Sequence, residues 1–144
     1  MRKLTCTLLF AMLLFAFQAF AQEHYTEGPV WEVSTIRVKP GRLDDYLTAL
    51  QREIKPFYEE AKRQGAVMDY KIFLKESKHD PNDWDVAIAV LYRNHAQLDG
   101  LTAKLETVRD KVAGGKQAAI QANDKRGEYR EVLSTESFQE VTLK

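Results

Sequence analysis

After a polar lead-in expected to be flexible, QEHYTEGP at residues 22–29, the hydrophobic pattern opens on an alternating stretch from Val30 to Val38. Trp31, Val33 and Thr35 fall on one face of an extended chain and Val30, Ile36 and Val38 on the other, which predicts a strand. Apolar residues on both faces predict a strand covered on both sides, within the protomer or by a partner. Pro40 and Gly41 end it, because proline supplies no ladder donor and glycine accepts a positive φ. Leu43, Tyr46, Leu47, Leu50, Ile54, Phe57 and Ala61 then recur at steps of three and four, one stripe of a helix that ends near Gly65. Asp44 and Asp45 in its first turn and Lys62 and Arg63 in its last complement the helix dipole. Pro56 removes a backbone donor inside this helix and predicts a bend or a split.

Gly65 to Ser77 alternates again, with Met68, Tyr70, Ile72 and Leu74 on one face and Asp69, Lys71, Phe73 and Lys75 on the other. The charged run from Lys75 to Asp83, carrying Pro81 and Asn82, reads as an exposed connection between paired strands. Asp83 to Arg93 is the most apolar strand and is expected at the centre of the sheet. Asn94 followed by Gln97 has the spacing of a capping box, and Leu98, Leu101, Leu105, Val108 and Val112 form the stripe of a second helix stopped by Gly114 and Gly115. Lys116 to Arg130 has weak helical character and predicts one short helix before Gly127. A fourth strand closes the chain from Glu128 to Leu143.

The order strand, helix, strand, strand, helix, strand predicts an α+β fold of ferredoxin-like type: a four-stranded antiparallel sheet with two helices on one face, as a single domain over residues 30–144. Two helices cover one side only. The other side would leave an apolar patch larger than soluble monomers usually carry, so a symmetric homodimer that pairs two sheet faces is expected.

Residues 1–21, MRKLTCTLLFAMLLFAFQAFA, have a basic start, an apolar core and small residues at Ala19 and Ala21, the layout of a secretory signal peptide cleaved after Ala21. The unbroken apolar run from Leu8 to Phe17 is shorter than the roughly 20 residues a spanning helix needs, so no membrane attachment is expected after cleavage and the protein is expected to be secreted or periplasmic. Cys6 lies before the apolar core, not after it where a lipid-attachment cysteine stands. It is the one cysteine of the chain, so the mature protein would carry no disulfide and no thiolate chemistry. The 144-residue chain has 21 basic and 21 acidic residues; removing Arg2 and Lys3 with the leader leaves 19 basic against 21 acidic. That balance gives no basic face for nucleic acid.

The run VWEVSTIRVKPGRLDDYL, with the later DPNDWDVAIAVLYRN leading into a helix, resembles the dimeric α/β-barrel superfamily, and within it small secreted bacterial proteins of unknown function. The resemblance spans Val30 to Val112. It implies a ferredoxin-like protomer, dimerisation and a ligand-sized cavity. The activities found in that superfamily, among antibiotic-biosynthesis-type monooxygenases, haem-degrading enzymes, muconolactone isomerases, stress-induced barrel proteins and NIPSNAP-type proteins, are too varied for the fold to select one.

Candidate chemistry is sparse. His24, His79 and His95 have neither metal-ligand spacing nor a place in a helical stripe, which disfavours a metal or haem site; no cofactor is called for. His95 is the histidine best placed for function, at a strand-to-helix junction that would line a barrel mouth. Asp80, Asp83 and Asp85 could ligate a hard cation but lack the EF-hand spacing and read as a solvated turn. Asp69, Asp85 and Glu32 are the carboxylates considered for acid–base work, and spacing alone does not bring any two together. No GxSxG, HExxH, P-loop or dinucleotide fingerprint occurs. The strand aromatics remain: Trp31, Tyr70, Phe73, Trp84 and Tyr92, with Arg37, Lys71 and His95, are the residues expected to meet a small apolar or aromatic ligand. Three functions follow as expectations: a ligand-binding barrel, a cofactor-independent monooxygenase or isomerase, and a protein-interaction module.

Overall fold

A computed structural model describes residues 24–144; the expected leader of residues 1–21, Cys6 included, lies outside the described residues. The elements run β1 (Tyr25–Val38), α1 (Leu43–Ala49), a π-helical turn (Leu50–Ile54), α2 (Lys55–Arg63), β2 (Asp69–Leu74), β3 (Val86–Tyr92), a 3-10 turn (His95–Leu98), α3 (Leu101–Ala113), α4 (Lys116–Gly127) and β4 (Arg130–Leu143). The four strands form one antiparallel sheet in the order β2-β3-β1-β4, so β3 is central as expected.

The register sorts the side chains into two faces. Val30, Ile36 and Val38 on β1 and Val86, Ile88, Val90 and Tyr92 on β3 share one face, and all are buried against Tyr46, Leu50, Ala61, Leu101 and Val108 from the helical layer. Trp31, Val33, Thr35 and Arg37 lie on the opposite face, beside Ala87, Ala89 and Leu91 of β3, Lys71 and Phe73 of β2 and Phe138 of β4. Among the described residues, the packed hydrophobic cluster lies on the helical side, and Ala87 and Ala89 are the small buried residues of the other face.

Four details differ from the pattern-based reading, each for a local reason. β1 begins at Tyr25, not Val30, because β4 is long enough to pair with it; Gly28 and Pro29 fall in a register irregularity between Glu27 and Val30. A Cβ at Gly28 would meet the Glu140 Cβ at 3.1 Å, so the close approach of β4 requires glycine there. The capping box builds a 3-10 turn: Gln97 N–H donates to Asn94 Oδ1 at 3.1 Å, while Gln97 Oε1 accepts from Arg93 N–H at 2.6 Å. Helix α3 starts only after Gly100, at φ 67. The short helix expected after Gly115 runs the full length Lys116–Gly127 as α4, and it joins the helical layer beside the two main helices the fold was expected to rest on.

Pro56 splits the first helix as its chemistry requires. It has no N–H for the carbonyl of Arg52, and the chain stays helical by widening: Lys55 N–H donates to the Leu50 carbonyl five residues back. Downstream, α3 is closed by Gly114 at φ 83, with Gly115 N–H donating to the Asp110 carbonyl at 2.6 Å.

Candidate functional site

The eight residues expected to meet a ligand do not form one group. Trp31, Arg37, Lys71 and Phe73 share the open sheet face. Tyr70 and Tyr92 point to the helical side, and Trp84 and His95 lie in the segments flanking β3. On the open face Lys71 Nζ stands 5.5 Å from the Trp31 ring, and the Trp31 indole N–H donates to Glu140. Phe138 is directly opposite Trp31 and half exposed. Ala87 and Ala89, whose cross-strand neighbours are Thr35 and Val33 on β1 and Phe73 and Lys71 on β2, are each only 4% exposed although no helix covers that face. Small residues on the central strand, overshadowed by larger ones on both neighbours, make a trough floored by the two alanines.

The rim of the trough is charged and ordered. Arg37 pairs with Glu131 at 2.6 Å and donates to Asn82 at 3.0 Å, which ties β1 to β4 and to the connection between β2 and β3. In that connection Lys75 pairs with Asp83 and stands 4.8 Å from the Trp84 ring, while Asp85 Oδ2 accepts from Val38 N–H at 2.7 Å. The aspartates considered as cation ligands are thus engaged with lysines and backbone, and no metal-holding group of three or more His, Cys, Asp or Glu occurs among the described residues. His95 Nε2 lies 3.0 Å from Gln139 Oε1, which places it beside the β1–β4 end of the sheet.

A second set lies on the helical side and was not assembled by sequence reasoning. Glu32 occupies the core-facing parity of β1, opposite Val90 and Ser137, and its carboxylate has no hydrogen-bond partner among the described residues. Its charge bears on two phenols, the buried Tyr92 and the partly buried Tyr58. Burial first, then Glu32, pushes Tyr58 up to about 12, and the same two causes in the same order push Tyr92 up. Burial followed by the hydrogen bond to Glu59, 2.9 Å, pushes Tyr70 up to about 12. Tyr58 and Tyr70 stack with centroids 4.9 Å apart. At neutral pH these phenols are protonated donors. The signal that could have located Glu32 is in the strand itself: a carboxylate in the alternation Val30, Glu32, Ser34, Ile36, whose other ends are core.

No protein-family model matches the chain, and no curated protein matches it either. Its fold has counterparts among solved structures. A dimeric ferredoxin-like protein from an uncultured marine organism aligns with a TM-score of 0.51 at 11% identity, covering 83% of this chain and 90% of its own. A NIPSNAP family protein of unknown function from Agrobacterium tumefaciens aligns at 0.50 and 16% identity, over 85% and 92% of the two chains. HapK from Hahella chejuensis aligns at 0.50 and 10% identity, over 77% and 91%. These likenesses establish the ferredoxin-like fold that the sequence resemblance implied, and at such identities they establish the fold alone.

Proposed function

We propose that the protein is a secreted or periplasmic homodimer in which two protomers pack open face to open face and hold a small apolar or aromatic molecule between them. The observation that carries this reading is the trough of Ala87 and Ala89 between Val33 and Thr35 on β1 and Lys71 and Phe73 on β2, with the exposed Phe138 and its neighbour Trp31 on the same face. Facing a copy of itself, such a surface closes its aromatic flanks together and leaves the hollow over the alanines as enclosed apolar volume. Lys71 and Arg37 supply the polar groups that orient a ligand at its edge. Secretion is supported by the layout of residues 1–21.

Native mass spectrometry of protein purified from its own compartment tests all three parts. The expected species is a dimer of chains beginning at Gln22, carrying a small retained mass. With 1-naphthol as probe, binding should quench tryptophan fluorescence, and Ala89→Leu should abolish the quenching while leaving the dimer intact. A monomer at micromolar concentration, or quenching unchanged in Ala89→Leu, would sink this reading.

One observation favours a second reading, an isomerase. Glu32 is a carboxylate without a hydrogen-bond partner among the described residues, near phenols that stay protonated. In that chemistry Glu32 would take a proton from carbon next to a carbonyl, and a phenol would donate to the carbonyl oxygen. Deuterium exchange at the α-carbon of added cyclic ketones reads it out; exchange that persists in Glu32→Gln excludes it.

A further inference from the structure

The helical layer holds a separate cavity of about 550 Å³, half open to solvent, between the π-helical turn, α2, α3 and α4. That size suits a small-molecule ligand. Its volume comes from the wall of α4, which turns Ala118, Ala119 and Ala122 toward Ile54, Phe57 and Val112. The π turn contributes too, bringing the consecutive residues Arg52, Glu53 and Ile54 to the lining.

The charge of this cavity is one-sided. Three arginines line it against one glutamate. Glu53 is held by two of them, Arg52 and Arg126, through short ion pairs. Arg109 is the third, and its pairs are poor: Nη2 lies 3.9 Å from Glu106 and Nε 3.6 Å from Asp110, both beyond hydrogen-bond reach. Its Nε is buried facing the equally unpartnered Asp110 Oδ1, while the side chain as a whole is 43% exposed, so the donors a ligand can reach are the terminal guanidinium nitrogens. A guanidinium whose exposed terminal nitrogens make no close ion pair, set beside an apolar wall, selects an anion that brings its own apolar body, since a carboxylate matches the planar fork and an aliphatic chain matches the wall.

We propose that this cavity is a binding site for a small amphipathic monocarboxylate, its head group on Arg109 and its chain among Ile54, Phe57 and Val112. The site is independent of the open sheet face and does not require the dimer.

Calorimetric titration of the purified protein with octanoate tests it, with octanol and octylamine as comparison ligands. Octanoate should bind at least tenfold more tightly than either. Arg109→Gln should weaken octanoate at least tenfold and leave octanol unchanged, while Trp31→Ala and Ala89→Leu on the open face should leave octanoate unchanged. A readout on the unaltered protein accompanies these variants: octanoate should shift the NMR methyl signals of Ile54, Val112 and Ile120 and leave that of Val33 in place. Equal binding of octanoate and octylamine, an unaffected Arg109→Gln, or shifts at Val33 in place of Ile54 would each overturn the proposal.

Discussion

Phe138→Glu is the substitution that most directly tests whether the open face is an interface. Phe138 is 50% exposed and Phe73 47% exposed in one protomer. A phenylalanine buries on the order of 200 Å² when fully covered, so about 100 Å² of Phe138 remains for a partner to cover. At about 25 cal/mol per Å² that area is worth roughly 2.5 kcal/mol, and a twofold interface uses it twice, roughly 5 kcal/mol. The dimer dissociation constant should therefore rise by about three and a half orders of magnitude. The new carboxylate stands near Glu136 and Glu140 on the same strand, so repulsion adds to the loss. Sedimentation velocity across a micromolar dilution series reads the constant, and far-UV circular dichroism checks that the sheet is intact. Ile120→Glu, an equally exposed apolar position on the helical layer, is the control and should leave the constant unchanged. If Phe138→Glu dimerises as the unaltered protein does, or if both variants weaken it equally, the open face is not the contact surface.

Three further outcomes follow from the interior. Val108→Ala, at a fully buried position between α3 and the sheet, should cost about 2 kcal/mol in a urea unfolding curve with its slope unchanged. Burial by itself would raise Glu53, but the hydrogen bonds from Arg52 and Arg126 outweigh it and hold the carboxyl below its ordinary value. Its contribution is therefore present above the ordinary carboxyl range and lost as pH falls through the lowered value, so Glu53→Gln should cost about 2 kcal/mol at pH 7 and show less acid sensitivity than the unaltered protein below pH ~4. Tyr58 has the opposite sense: its phenol is pushed up to about 12, so stability is complete below the ordinary phenol value and lost as pH rises toward 12. Absorbance at 295 nm should show tyrosines that ionise only with alkaline unfolding, and Tyr58→Phe should reduce that late fraction; ionisation of every tyrosine near pH ~10 in the folded protein would contradict the buried arrangement.

The strands and the two main helical stripes were legible because each is long enough for its period to repeat. Val30, Ile36 and Val38 on β1, and Val86, Ile88, Val90 and Tyr92 on β3, are core in the structure and share faces as their alternation grouped them. Helix α4 was faint because its buried side is made of alanines, Ala119 above all, which carry little hydrophobic contrast against Gln and Lys neighbours. The start of β1 at Tyr25 was hidden by Gly28 and Pro29, which read locally as a break, whereas the partner strand β4 holds the chain extended across them. The candidate site was the least legible part, for a geometric reason. Aromatic type says that a residue is packed, but the face it packs on depends on cross-strand register, and register put Trp31 and Phe73 on one side of the sheet and Tyr70 and Tyr92 on the other.

Pro56 joins the fold to the helical-layer cavity. A regular helix from Leu43 to Arg63 would have kept one hydrogen-bonding pattern and one stripe of core residues throughout. The donor missing at Pro56 is absorbed by the wider turn at Leu50–Ile54, which rotates the residues before it relative to those after it. Leu50 stays in the core while Arg52 and Glu53 meet the cavity, and Arg126 of α4 closes on Glu53 from the other side. Glu53 therefore occupies Arg52 and Arg126 through two ion pairs, one of which ties α4 to the first helix, and leaves Arg109, across the cavity on α3, as the arginine with only long contacts to carboxylates. A defect read from one proline thus accounts for which polar groups line the cavity and which of them is open to a ligand.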